Sequence, residues 1–188
     1  MIASLPVANL GGNNDKFLRR TSRGLNLEDL ITKGLNDPKV SMREDAIEKI
    51  VRFGKAAVPL LIKALEKPNR LVRVCAMEVL RKIGKEADKA VPQLRELLKE
   101  PDYVIKSNAA YTVRRMGPRA KEAVPELIAL IKDPDEIVRL HAIHSLGVIG
   151  PSAKEAESAF LLALGRASKL TEPRLVTAIE TALRRIKE

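Results

Sequence analysis

His141 and His144 are the residues whose spacing most resembles a metal-binding pair. They are three residues apart, which places both imidazoles on one face of a helix, where they could ligate the same ion. A zinc site needs a third or fourth ligand, and the sequence has no other histidine and no cysteine near them. We therefore predict no metal site, and we interpret both histidines as structural or surface residues.

Cys75 is the single cysteine, so the chain has no internal disulfide, and we expect a reducing, cytoplasmic location. The residue lies beside Ala76 in a predicted helix, which indicates a buried or half-buried thiol rather than a nucleophile. The sequence has no GxSxG, Walker, GxGxxG or HExxH motif. We therefore expect no catalytic residue, no cofactor and no enzyme activity.

The charge is more informative, because 34 Lys and Arg against 24 Asp and Glu leave a net charge of +10. A column of cations lies near the ends of several predicted helices: Arg52, Arg81, Lys82, Arg114, Arg115, Arg184 and Arg185. Cations there oppose the helix dipole, each contributing a few tenths of a kcal/mol. Alternatively they form a basic ridge that binds phosphate or an acidic protein. Gly147 and Val148 interrupt the column, which argues against a uniform nucleic-acid track.

Two tyrosines accompany this ridge. Tyr103 and Tyr111 are eight residues apart, share a helix face and occupy positions that are polar in neighbouring segments. Tyr and Arg are enriched at interface hot spots, so the tyrosines indicate a contact patch, although isolated exposed tyrosines are ordinary. The alternative basic and aromatic ridge comprises Arg81, Lys82, Tyr103, Tyr111, Arg114 and Arg115.

The residues described above lie within an internal sequence repeat, which determines their positions in the fold. Three independent markers recur with a spacing of 30 or 33 residues and in the same phase. The Val-Pro pairs begin at Val58, Val91 and Val124, the glycines are Gly54, Gly84, Gly117 and Gly150, and the prolines are Pro38, Pro68, Pro101 and Pro134. The period indicates stacked copies of one structural unit.

The sequence pattern of each unit predicts two helices, called here helix A and helix B. Apolar residues in steps of four, four and three give helix A one apolar face, as in Val138, Ala142, Leu146 and Ile149. The glycine is expected to end helix A in the αL conformation. Proline of the Val-Pro pair begins helix B, and Asp133 is the expected N-cap before the next helix A.

These residues resemble HEAT repeats, in particular the HEAT-like repeats of phycobilisome lyases. The pattern is fullest at Arg139, Ala142, Ile149-Gly150-Pro151, Ala123-Val124-Pro125 and Asp133-Pro134-Asp135. The resemblance covers roughly residues 25 to 187 and implies a fold more specifically than a function. A bilin lyase would need an aromatic-rich cavity, but the chain has only three Phe, two Tyr and no Trp. The His-Glu dipeptides of a metal hydroxylase in this family are absent.

The sequence therefore predicts an all-α, right-handed α-solenoid of about ten helices. We expect an N-terminal arm at 1–24, flexible or docked on a partner, and the solenoid at 25–188. The solenoid divides into a half-repeat cap at 26–37, four repeats within 38–168 and a terminal helix at 172–187. No apolar stretch is long enough to span a membrane.

Stacked helices B usually form the concave contact face of a solenoid. Eight residues are predicted to face solvent there: Leu60, Lys63, Gln93, Glu96, Glu126, Ala129, Ala159 and Leu162. We call this set the B face. Its mixed chemistry suits a folded protein, so we predict a protein-binding scaffold, adaptor or assembly factor whose partner is acidic or part of a larger complex. The alternative is a nucleic-acid-binding protein that uses the basic ridge.

Overall fold

The structure, a computed structural model, describes residues 26–167 and 172–188. The predicted N-terminal arm, residues 1–24, lies outside the described residues. Within the described part the chain forms helices and no strand. No helix there combines the length and the apolar character that crossing a membrane requires.

The described residues form ten α-helices, as the sequence predicts. In chain order they are α1 Leu27–Thr32, α2 Val40–Val51, α3 Val58–Leu65, α4 Arg70–Ile83, α5 Val91–Leu98, α6 Tyr103–Met116, α7 Val124–Leu130, α8 Glu136–Ile149, α9 Glu157–Arg166 and α10 Pro173–Lys187. Even-numbered helices are helices A, and odd-numbered helices are helices B. 3-10 segments join helix A to helix B without a break in several units, so the ten helices form 7 continuous helical stretches.

The glycines that end helices A explain this continuity. Gly84 has φ 71° and ψ −132°, and Gly150 has φ 74° and ψ −141°. The expected αL conformation is therefore wrong in ψ, because αL requires ψ near +47°. A side chain disfavours this region more strongly than αL, which restricts the position to glycine. The turn at the glycine leads directly into a 3-10 segment. In the segment that begins at Gly117, Pro118 lies in the first turn, where a backbone N–H has no partner within the helix, so its absence costs nothing.

The N-cap of helix A in the fourth unit lies two residues later in the sequence than expected. Asp135, not Asp133, caps α8 by accepting a hydrogen bond from the backbone N–H of Val138 at 3.0 Å. Asp133 is buried instead, where it accepts from the Asp135 N–H and pairs with Lys106 of the preceding helix A. The carboxylate thus ties a loop to the unit before it rather than starting a helix.

Successive helices A pack against one another, and each helix B packs against the helix A that follows. The core is continuous and aliphatic, with Phe160 as the fully buried aromatic residue of the described chain. Two buried hydroxyls link neighbouring helices A: Thr112 donates toward the Met77 carbonyl at 3.3 Å, and Ser145 toward the Ala110 carbonyl at 2.8 Å. Thr112 and Ser145 occupy the same repeat position, so this position faces the preceding helix A.

The first and last helices A carry charge where the inner ones are apolar or small. Lys49 aligns with the buried residues Val79 and Thr112, and it pairs with Asp45. At the other end, Glu180 is exposed although it aligns with the buried Met77 and Ile143. Both edges of the helix A layer are therefore polar.

Candidate functional site

All eight residues of the B face lie at or near the surface of the helices B. Lys63, Glu96, Ala129 and Leu162 are exposed, and Leu60, Gln93, Glu126 and Ala159 are partly buried. The prediction that these residues bind a partner stays a prediction.

Glu126 is committed to contacts within the protein. Arg95 of α5 donates two hydrogen bonds to its carboxylate, at 2.8 and 3.0 Å, and the Lys99 ammonium lies 3.8 Å away. Burial raises the pKa of Glu126, but the hydrogen bonds from Arg95 and the charge of Lys99 outweigh it and hold the pKa below its ordinary value. This bidentate pair joins α5 to α7, so Glu126 supports the face more than it recognises a partner.

Helix α9 presents apolar side chains to solvent. Phe160 points into the core with 0% of its surface exposed, whereas Leu161 is 55% and Leu162 47% exposed. A groove of about 200 Å³ runs beside Leu162. Its lining includes Ala159, Ala163, Ile131, Lys132 and Arg166. Arg139 and Glu172 also line the groove and pair with each other at 3.1 Å, so Lys132 and Arg166 leave an excess of positive charge beside its apolar lining.

A larger groove lies at the N-terminal end of the helix B layer. It has a volume of about 400 Å³, and Ile31, Leu60, Ala64 and Val72 supply apolar lining. Lys63 and Lys67 lie at its border. The two ends of the B face therefore carry apolar grooves, and the middle carries the Arg95–Glu126 pair.

Tyr111 is not at a solvent position, which corrects the expectation from the sequence. Its ring stacks on the His141 imidazole with centroids 5.1 Å apart and planes 10° from parallel. The Arg81 guanidinium lies 4.5 Å from the ring centroid, and that of Arg114 lies 5.7 Å away. Tyr111 is thus the centre of a cation–π cluster that joins three helices A, whereas Tyr103 is 54% exposed.

The cations of the predicted ridge differ in their partners. Glu78 pairs with Arg81 at 3.3 Å and reaches Lys82 at 4.0 Å. Arg114 and Arg115 form no ion pair with any residue in the described ranges. Part of the ridge is therefore unneutralised.

His141 takes part in this cluster, a role that the sequence analysis missed, and His144 lies one turn further along α8. Burial lowers the pKa of both imidazoles, and the charges of nearby arginines, Arg114 among them, lower it further. No group of three potential metal ligands occurs among the described residues. The sequence does contain a signal for this cluster. Arg81, Tyr111 and His141 are spaced by 30 residues, which is about one helical turn less than the repeat period of 33 residues.

The interruption at Gly147 has a packing cause. A Cβ at this glycine would lie 3.0 Å from the Cα of Ala182 in α10. The close approach of α8 and α10 leaves no room for a side chain, so the cation column cannot continue here. The break therefore does not test whether the ridge binds nucleic acid.

Cys75 is buried, as predicted, with 7% of its surface exposed. Burial raises the pKa of the thiol, which keeps it protonated near neutral pH. The residue is therefore a poor nucleophile.

These features define an all-α repeat protein whose helices stack in two layers. A family model of HEAT repeats matches residues 28–114 and again residues 91–184, so the chain belongs to the HEAT-repeat family. No curated protein matches the sequence.

Solved structures show the same fold at low sequence identity. An engineered protein is 23% identical with a TM-score of 0.62, covering 86% of this chain and 79% of that one. In the complex of CpcE and CpcF of phycocyanin lyase from Nostoc sp., the matched chain is 18% identical with a TM-score of 0.68, covering 81% and 96%. Designed armadillo repeat proteins for modular peptide recognition are 19% identical with a TM-score of 0.62, covering 85% and 81%. These likenesses show the fold alone.

Proposed function

We propose that this HEAT-repeat protein is a non-enzymatic scaffold, adaptor or assembly factor that binds another protein. The HEAT-like fold commonly mediates protein interactions, and it presents its stacked helices as an extended surface. The buried, protonated Cys75 and the lack of a metal-ligand cluster among the described residues are consistent with this proposal.

The observation that supports it best is the exposed pair Leu161 and Leu162 on α9. Both side chains are exposed and Leu162 lines the groove, and exposed apolar surface of this kind often marks a contact site. Lys132 and Arg166 at the same groove are exposed, and neither forms an ion pair with a described residue. The matching partner surface is apolar and flanked by carboxylates, so the partner is acidic at its contact site.

Affinity capture from the native lysate, with nuclease present, tests this function. Leu162→Asp should abolish capture of the partner while leaving the melting temperature within a few degrees of the parent. Ile137→Asp is the matched control, because Ile137 is 54% exposed on helix A of the same unit. It should retain capture. Equal loss in both variants, or no loss in either, contradicts the assignment to α9.

Nucleic-acid binding is a second candidate, supported by the net charge of +10 and by Arg114 and Arg115, which form no ion pair with a described residue. It predicts that the logarithm of the affinity falls linearly and steeply with the logarithm of salt concentration. It also predicts that nuclease treatment releases the captured material. Retention of a protein partner after nuclease treatment separates the two functions.

A further inference from the structure

The helix A layer carries a cationic patch whose members come from three repeats and the terminal helix. We define it as Arg81, Tyr111, Arg114, His141, His144 and Arg174. Arg81, Tyr111 and His141 form a diagonal row, each contributed by a successive helix A and each in contact with the next. Beside this row, the Arg114 guanidinium lies 5.7 Å from the centroid of the Tyr111 ring, and His144 lies one turn beyond His141 on α8.

A depression continues the patch toward the C-terminus. It encloses about 420 Å³ between α8 and α10. Polar lining comes from His144, Arg174, Thr177 and Thr181, and apolar lining from Leu140, Pro173 and Ala178. A depression with a largely apolar lining and a few converging polar groups is typical of ligand sites, in which the polar groups fix the orientation of the ligand.

The charges around the depression are mostly positive. The charges of Arg114, Arg185 and Arg174 all lower the pKa of His144, in addition to the larger effect of burial. Arg174 has one carboxylate partner, Glu136 at 3.9 Å, and its side chain is 77% exposed. The site therefore has positive potential and room for an incoming anion.

Stacking fixes the geometry of the Arg81, Tyr111 and His141 row of this patch before any ligand binds. The Tyr111 ring holds the Arg81 guanidinium on its π-system, and the His141 imidazole stacks on the same ring. Pre-ordered side chains lose less conformational entropy on binding, which raises affinity.

We propose that the cationic patch and the adjoining depression bind an acidic peptide segment of a protein partner, with a carboxylate side chain seated between Arg114, His144 and Arg174. This proposal rests on the protein-binding function above but concerns a second surface, on the other helix layer.

The charge distribution favours an acidic peptide over a nucleic acid. Carboxylates flank the patch, with Glu78 beside Arg81 and Glu136 beside Arg174. A phosphate backbone carries closely and evenly spaced charges that would meet these carboxylates. A peptide can place its few carboxylates next to the cations and keep them away from Glu78 and Glu136.

Direct binding to synthetic probes tests the proposal. The probes are a fluorescent peptide of alternating glutamate and serine, the same peptide with glutamine in place of glutamate, and an oligothymidylate of equal length. Fluorescence anisotropy should show binding of the glutamate peptide and little binding of the glutamine peptide. Arg114→Gln and Arg174→Gln should each weaken binding roughly three- to five-fold. Arg174 is largely exposed, so its substitution leaves the fold intact.

Two controls locate the site. Lys63→Gln removes one exposed cation from the B face and should leave peptide binding unchanged, as should Leu162→Asp. The chain has no tryptophan and only two tyrosines, so in a Tyr103→Phe background Tyr111 is the sole tyrosine emitter. When the glutamate peptide is titrated in, the fluorescence emission of Tyr111 should change with the same midpoint concentration as the anisotropy.

The proposal is overturned if the glutamine peptide binds equally well, if Lys63→Gln weakens binding as much as Arg114→Gln, or if Tyr111 emission stays constant. Tighter binding of the oligothymidylate, with the same dependence on Arg114, would assign the patch to nucleic acid. If Leu162→Asp loses the captured partner while peptide binding also fails, the proposed function stands and the second surface does not.

Discussion

Helices α7 and α9 occupy equivalent places in adjacent units, yet their surfaces differ in chemistry. On α7, Glu126 is held by Arg95 and Lys99 of the preceding unit. On α9, Leu161 and Leu162 lie exposed beside a groove. The outer side of a helix B can thus hold a contact within the array in one unit and carry exposed apolar residues in the next. Position in the repeat alone does not identify a binding residue.

The largest expected effect on the free energy of unfolding distinguishes the buried side of α9 from its exposed side. Phe160→Ala removes a fully buried ring and should lower the free energy of unfolding by about 3–5 kcal/mol. Leu161→Ala changes an exposed side chain and should cost less than about 0.5 kcal/mol. Urea denaturation measures both values. A large cost for Leu161→Ala would show that the outer side of α9 is covered and would remove the contrast with α7.

The next effect concerns the link between α5 and α7. Arg95→Ala leaves the Glu126 carboxylate, 10% exposed, without its bidentate partner and should cost about 1–3 kcal/mol. The double variant Arg95→Met with Glu126→Leu removes both charges and should recover most of this loss. Thermal unfolding of the single and double variants gives the comparison. A double variant no more stable than Arg95→Ala would contradict the assigned role of the pair.

A pair of glycines tests how closely the helices approach at the C-terminal end. Gly147→Ala forces a Cβ against Ala182 and should destabilise the protein by about 1–3 kcal/mol. Gly165→Ala in α9 meets no atom within 4 Å and should stabilise by about 0.5–1 kcal/mol through helix propensity. Opposite shifts in melting temperature are expected. Stabilisation by both would show that α10 can move away from α8.

The smallest effect is the pH dependence of the α5–α7 link. The folded-state pKa of Glu126 lies below its ordinary value, so the unfolded chain takes up the proton first as the pH falls. The stabilisation is therefore full above the ordinary glutamate pKa, about 4.3, and is lost as the pH drops through the folded-state value. The difference in melting temperature between the parent and the Arg95→Met, Glu126→Leu variant should be constant from pH 7 to 5 and shrink by pH 3. A constant difference throughout would mean that Glu126 is not ionised in its pair.

The repeat could be predicted from the sequence because its markers are local. The terminating glycines, the Val-Pro pairs and the apolar steps of helix A each depend on backbone geometry within one unit. Ten helices and the burial of Cys75 follow from these signals. The N-cap at the fourth unit was misplaced because Asp133 and Asp135 are both good cap residues, and only the contact with Lys106 decides between them.

The cation–π cluster could not be predicted in the same way. Aligning the repeats places Tyr111 with Glu78 and His144, but the contacts run diagonally to Arg81 and His141. This offset of one turn depends on how neighbouring helices are staggered, which no single unit encodes. The Arg95–Glu126 pair was missed for the same reason, since its partners come from different units.

The charged edges of the helix A layer have a consequence for assembly. A repeat array can in principle extend without limit, because the last unit of one copy offers the first unit of another the same surface that joins units within a chain. Lys49 with Asp45 at one edge, and Glu180 at the other, would each have to lose water to make that junction. Charged residues at both edges of the described helix A layer therefore add a desolvation cost to end-to-end stacking of two copies. Exchanging Lys49 and Glu180 for the aliphatic residues of the inner units would remove this cost and should favour end-to-end association, which light scattering would detect.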